Sequence, residues 1–223
     1  MDKYLFIQAI AKFILGMMVI ALLLFVSSGT LDYWNAWLFM GILFIPMFVA
    51  GIVLMIKNPD LMRKRLNAQE REPKQRRVLM LSGVMFLCGF IVAGLNHRYG
   101  WIYFPKWVSI IAAIIFLLAY MLYAEVLREN TYLSRIVEIQ EHQRVIDTGL
   151  YGIVRHPMYS ATIFLFLTIP LVLGSLFTFL VFLAYPILIA KRIKNEEYVL
   201  EEGLEGYSNY KKRVKYKVIP FVW

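Results

Sequence analysis

Two short runs near the carboxy-terminal end carry the side chains best able to do chemistry: Arg155-His156-Pro157-Met158-Tyr159 and Arg192-Ile193-Lys194-Asn195-Glu196-Glu197. Proline fixes its own φ and suits the first turn of a helix, where its missing N–H is not needed. Arg155 and His156 would then lie beside a helix N-terminus, whose free N–H groups and positive dipole end favour an anionic group such as a carboxylate. The plainer alternative is a basic flank of a membrane helix with Tyr159 as an interfacial anchor. In the second run Arg192 and Glu196 are spaced i, i+4 and share one helix face, so the plainer alternative there is a surface ion pair contributing a few tenths of a kcal/mol.

What joins the two runs changes that weighting. Between them lies an apolar stretch, Ser160 to Ala190, with Pro170, Gly174 and Ser175 in its middle. It reads as a tight helical hairpin whose arms, of about fifteen residues each, would be tilted, set in thinned bilayer or shielded by other helices. Its ends must return to one side of the membrane. Carboxylate, guanidinium, imidazole and phenol would then surround a single pocket able to hold a zwitterion. Glu196 would accept from an ammonium or ribose hydroxyls, and the helix N-terminus would receive a carboxylate.

The rest of the chain must position that hairpin, and its composition states the solvent. Of 223 residues, 60% are hydrophobic and 17% charged, well to the apolar side of water-soluble domains. Four stretches upstream, Tyr4–Val26, Trp37–Ile56, Val78–Leu95 and Trp107–Leu127, are long enough as helices to cross a bilayer core of about 30 Å. The expected fold is therefore all-α, a polytopic integral membrane protein of about six transmembrane helices, four full spans plus the hairpin. Trp34, Trp37, Trp101, Tyr103 and Trp107 sit near span ends as interfacial belts require. The first span could be read as a cleaved signal peptide, but no small-x-small site follows it cleanly and Gln8 and Lys12 interrupt its core.

The net charge of +9 is explained by its distribution. All Lys and Arg except Arg98 and Lys106 fall on the side that holds both termini, the basic connection Lys57–Arg77, the stretch from Arg128 to Arg155 and the tail after Ala190. The positive-inside rule then makes both termini and the candidate pocket cytoplasmic, at a cell membrane. Nucleic acid is not an expected partner, since no basic motif interleaved with aromatics stands out. Asn58-Pro59 and Glu72-Pro73 bracket an interfacial helix in the basic connection, suited to anionic headgroups of membrane lipids. Residues from Arg128 to Tyr159 form a polar loop whose embedded Val137, Ile139, Val145 and Ile146 argue against disorder. The tail from Asn195 is expected to fold back over it. Cys88, in an apolar span, is expected to be a small side chain buried in a helix contact.

Most other chemistries lack their residues. Three histidines lie far apart, and no HExxH, Cys-rich site, glycine-rich dinucleotide fingerprint, phosphate loop or nucleophile elbow occurs, so no metal site is expected. What remains is an ordered set: Gly149-Leu150-Tyr151, Arg155-His156-Pro157-Met158-Tyr159, Arg192-x3-Glu196-Glu197 and Tyr207-x2-Tyr210-x3-Val214. In order and spacing it resembles the isoprenylcysteine carboxyl methyltransferase family over roughly residues 130–223, each motif being common alone and the combination specific. The resemblance implies a membrane-embedded methyltransferase that uses S-adenosyl-L-methionine without a Rossmann domain and takes a lipophilic or prenylated substrate from the bilayer. It divides the chain into N-terminal transmembrane helices, 1–127, and a catalytic region, 128–223. It implies cofactor contacts at Gln140, Gln143, Arg144, Val145, Ile146, Tyr151, His156, Pro157, Met158, Tyr159 and Glu196, with Arg192 facing the substrate carboxylate. Ala161, where many members carry glycine, narrows either a helix contact or the cofactor channel.

A similar Arg-His-Pro-x-Tyr also resembles membrane sterol and enone reductases that use NADPH. Those commonly have Asn after the proline and Gly-Glu after the tyrosine, whereas Met158 and Ser160-Ala161 stand here. A lipid amine or thiol is an alternative acceptor for methyl transfer. A non-enzymatic scaffold or transporter finds little support, because apart from Lys12 and Glu125 near segment ends the spans lack buried ionisable residues.

Overall fold

Apolar runs of this length fold as helices because lipid offers no partner to a bare N–H or C=O, and a helix satisfies them within the segment. The computed structural model describes residues 3–66, 73–133, 139–140 and 142–223. Chain order is α1 (Lys3–Ser28), α2 (Trp34–Lys57), α3 (Pro59–Leu66), α4 (Pro73–Tyr99), α5 (Lys106–Glu129), α6 (Pro157–Val172), α7 (Leu176–Phe182), α8 (Ala184–Gly203) and α9 (Tyr207–Arg213). The four upstream spans thus appear as α1, α2, α4 and α5, three of them about a turn longer than their apolar runs and α4 longer by about two and a half turns.

Among the described residues five helical segments are long and apolar enough to cross a membrane: α1, α2, α4 from Gln75, α5, and α7 with α8 taken together; α6, at 16 residues, is shorter. Large apolar side chains stay exposed along them, Ile45 at 69%, Leu118 at 54% and Ile114 at 54% among others. Such a surface is incompatible with water and suited to lipid. The chain is an all-helical integral membrane protein.

The hairpin is present. Its arms are α6 and the α7–α8 pair, separated by a turn at Leu173–Ser175. Gly174 takes φ +74°, a left-handed conformation that side chains resist, and Ser175 caps α7 by accepting from the Thr178 N–H at 3.2 Å. A break at Leu183 divides α7 from α8. Its cause is Pro186, whose ring removes the hydrogen bond that the Phe182 carbonyl would accept.

The hairpin tip is held by the loops at one end of the bundle. Tyr103 pairs with Ser175, the Phe104 N–H donates to Gly174 O at 3.0 Å, and the Tyr33 hydroxyl donates to Leu173 O at 2.8 Å. Asn35 Nδ2, buried, donates to Val172 O at 2.6 Å and to Ser109 Oγ at 3.1 Å. The aromatic anchors Trp34, Trp37, Trp101, Tyr103 and Trp107 gather at this end and remain exposed. Between the two ends one apolar core runs through Leu24, Phe39, Phe90, Phe116, Ile169, Phe182 and Ile193, drawing on upstream helices and hairpin alike.

At the opposite end, Asn58 ends α2 and caps α3. Its Oδ1 accepts from the Leu61 N–H at 3.0 Å, and Pro59 fills the first helical position. This is the start of the expected interfacial helix; residues 67–72 of the connection lie outside the described residues. One expectation fails: Cys88 is exposed on the outer face of α4, not buried in a helix contact, because the helical step sets it beside the exposed Leu81 and Val84.

Candidate active site

His156 takes an extended φ of −128° and Pro157 opens α6, as the proline rule requires. The tail then straps this junction. The backbone N–H groups of Arg155 and His156 donate to Tyr216 O at 2.9 Å and Lys217 O at 2.8 Å, and the Ser160 hydroxyl donates to Val218 O at 2.6 Å. The tail also packs Leu204, Tyr207, Tyr210 and Val214 against Ile139 and Val145 of the loop. It does fold back over the loop. Val137, counted with these apolar residues in the sequence, lies outside the described residues.

The hairpin brings the second run to the first, and its two glutamates separate in role. Glu197 is buried. Its Oε1 accepts from Arg155 Nε at 2.7 Å and lies 3.3 Å from His156 Nε2, while Lys217 Nζ is 3.5 Å from Oε2. Arg155 also gives Nη1 to Val214 O and Lys215 O, at 2.7 and 2.8 Å. Buried charges of this kind persist because each is paired and hydrogen-bonded. Glu196, with 23% of its side chain exposed, turns towards the cleft. Its Oε2 accepts from the Tyr159 hydroxyl at 2.5 Å, and the same hydroxyl accepts from Arg192 Nε at 2.7 Å. Arg192 is buried, so this run is no solvated surface pair.

The loop supplies the facing wall. The Gly149–Gly152 stretch forms a 3₁₀ turn held by the Glu129 carboxylate, which accepts from the Leu150 N–H at 3.0 Å. Gly149 is at φ +53°, where a side chain is strained, and a Cβ there would displace the Glu129 carboxylate. Asn130 Nδ2 donates to the Tyr151 hydroxyl at 2.9 Å, and the Tyr210 hydroxyl donates to Tyr151 O at 2.8 Å. Burial pushes the phenols of Tyr151 and Tyr210 well above the usual tyrosine range, so both stay protonated at physiological pH.

These parts enclose a cleft of about 840 Å³, counting its open mouth. Gln143, Arg144, Val145, Ile146, Tyr151, His156, Met158, Tyr159, Arg192 and Glu196 all line it. Two expected contacts do not line it. Pro157 is buried and shapes the α6 terminus, while Gln140 is turned to α3, where Lys64 Nζ donates to its Oε1 at 2.5 Å. Ala161 is fully buried and does not line the cleft either, so its methyl lies in a helix contact. Tyr132, Leu200, Leu204, Tyr207 and Tyr210 line the cleft and were not expected to. The Tyr207-x2-Tyr210 spacing, which places both rings on one helix face, was the available signal.

A second, apolar cavity of about 1940 Å³, mouth included, lies among α1, α2, α3, α5 and α6. Its lining includes Phe13, Met47, Met55, Leu127, Thr162 and Phe166, with Lys12 and Arg65 among it. Lys12 Nζ donates to Leu66 O at 2.8 Å, and Arg65 donates to the Tyr123 hydroxyl. Leu127 lines this cavity, Met158 lines the cleft, and both pack on the cluster of Val126, Leu133 and Tyr151. The two compartments are neighbours.

Residues 99–202 match the sequence profile of the isoprenylcysteine carboxyl methyltransferase (ICMT) family. None of the curated proteins compared matches the chain. Among solved structures, that of the eukaryotic intramembrane Ras methyltransferase ICMT superposes with a TM-score of 0.61 at 18% identity, over 96% of this chain and 77% of that one. At that identity the likeness shows the fold; the profile match supplies the family. Residues 99–202, which contain both chemical runs and the hairpin between them, match the isoprenylcysteine carboxyl methyltransferase family, and the whole chain has the fold of the eukaryotic ICMT structure.

Proposed function

We propose that the chain is an integral membrane methyltransferase that takes S-adenosyl-L-methionine from the cytoplasmic side and methylates the carboxylate of an isoprenylcysteine-like acceptor drawn from the bilayer. The observation that carries this reading is the adjacency of a charged, tyrosine-lined cleft to a large apolar cavity across the Leu127 and Met158 packing. A reaction between a water-soluble donor and a lipid-borne acceptor needs those two compartments side by side.

The residues of the cleft fit the donor. Val145, Ile146, Leu200 and Leu204 offer an apolar shelf for a flat base, and Glu196 offers a carboxylate to ammonium or hydroxyl groups. When bound, the sulfonium supplies an already activated methyl group. An ionised carboxylate acceptor needs no general base, so the protein's part is to hold the partners. Tyr159, fixed between Arg192 and Glu196, couples the acceptor side to the donor side. Arg192 orients the carboxylate, and alignment at roughly 3 to 3.5 Å supplies several kcal/mol of the barrier. The basic residues on the cleft side support a cytoplasmic orientation under the positive-inside rule.

Calorimetry on the detergent-purified chain tests the reading. S-adenosyl-L-methionine binds, Glu196→Ala weakens that binding by roughly tenfold or more, about 1.4 kcal/mol, and Arg192→Ala weakens it much less while abolishing turnover. Incubation of labelled donor with a membrane extract then places label in a base-labile ester. Tight NADPH binding with no response to S-adenosyl-L-methionine overturns the proposal in favour of a reductase. Label in an amine or thioether corrects the acceptor alone.

A further inference from the structure

Four buried tyrosines line the cleft, and three have their hydroxyls engaged. Tyr151 accepts from Asn130, Tyr159 lies between Arg192 and Glu196, and Tyr210 donates to the Tyr151 carbonyl. Tyr207 differs. Its side chain is buried, 4% exposed, and among the described residues its hydroxyl has neither solvent nor a hydrogen-bond partner. Buried hydroxyls are almost always paired, since leaving one unmade costs free energy. The ring cannot swing out to water, because Tyr207 opens α9 behind Gly206 (φ +83°) and packs on Leu204 and Val145, with Tyr210 at 5.7 Å between ring centroids.

The charges around that hydroxyl define what it can receive. Arg155 and Glu196 line the same cleft as Tyr207, and the charges of Glu197, Glu196 and Arg155 are the ones that bear on its phenol. Glu197 is already engaged by Arg155, His156 and Lys217. Among the described residues Glu196 has the Tyr159 hydroxyl at one oxygen and His156 Nδ1 at 3.9 Å from the other, and it is partly open to the cleft. A phenol oxygen beside such a carboxylate suits a cationic group with several N–H donors.

We propose that Tyr207 is a donor-binding residue, its hydroxyl and the Glu196 carboxylate together accepting from the ammonium group at the amino-acid end of the methyl donor. This rests on the methyl-transfer reading above and deepens it. The Tyr207 hydroxyl then selects nucleosides that carry an α-amino acid over those that end at the sulfur.

Tyr207→Phe keeps the ring and removes only the hydroxyl. In calorimetry with the full chain, wild type binds S-adenosylhomocysteine, and Tyr207→Phe weakens it about tenfold, the scale for one hydrogen bond to a charged group. Binding of 5′-methylthioadenosine, which lacks the amino-acid end, stays within about twofold, because its contacts do not include that bond. Unchanged binding of S-adenosylhomocysteine, or equal losses for both probes, overturns the proposal. A measurement on wild type does not depend on the variant folding: the deaminated analogue of S-adenosylhomocysteine must bind more weakly than the parent, and equal binding overturns the proposal. Wild type that binds none of these nucleosides overturns the methyl-transfer reading together with this one.

Discussion

Glu196 and Glu197 are neighbours of the same type with opposite tasks, and the helical step separates them. Consecutive residues on an α-helix point about 100° apart. Glu196 therefore shares a face with Arg192 and meets the cleft, whereas Glu197 follows Ile193 into the interior and meets Arg155. Glu197→Gln leaves Arg155 buried without its charge partner, and loss of one member of a buried pair costs about 3 to 5 kcal/mol. Thermal unfolding in detergent should show that loss for Glu197→Gln and almost none for Glu196→Gln, with donor binding following the reverse order of directness. The i, i+4 relation of Arg192 and Glu196 was legible in the sequence. The insertion of Tyr159 between them was not, since it depends on how closely two hairpin arms approach.

At the scale of elements, α3 links two parts of the molecule that the sequence presents separately. Its Met62, Arg65 and Leu66 line the apolar cavity, and its Lys64 reaches across to Gln140 of the loop that walls the cleft. An interfacial helix whose charges lie where headgroups are expected thus borders the apolar cavity and holds the loop that walls the cleft. Lys64→Ala removes one partly buried hydrogen bond, worth about 0.5 to 1.5 kcal/mol. The expected result is faster amide exchange over residues 142–148, with the α5 amides unchanged. The spans, the hairpin and its tip were readable because apolar runs, prolines and glycines act locally. Gln140 was expected against the cofactor and faces α3 instead, because a loop without regular structure has no period from which direction can be read.

For the molecule as a whole, the polar residues that decide the hairpin's position lie at the end opposite the cleft. Asn35 reads as the close of a connection, yet it is buried and ties the Val172 carbonyl and Ser109 together. Asn35→Ala leaves that carbonyl unpaired among helices, at about 1 to 3 kcal/mol. A lower midpoint of thermal unfolding, with donor affinity per folded molecule unchanged, is the expected outcome. Packing across the bundle is nonlocal, which is why composition and spacing gave the class of fold and left these anchors unread.

The strap over the α6 junction bears on the order in which the molecule comes into being. Arg155, His156 and Ser160 take their partners from Val214 to Val218, which leave the ribosome some sixty residues after them. Chains fold from the N-terminal side during synthesis. The spans can therefore insert and pack, and the apolar cavity can form, while the cleft still lacks a wall. A nascent chain halted before Val214 would be a membrane bundle open to lipid, its cleft still unwalled.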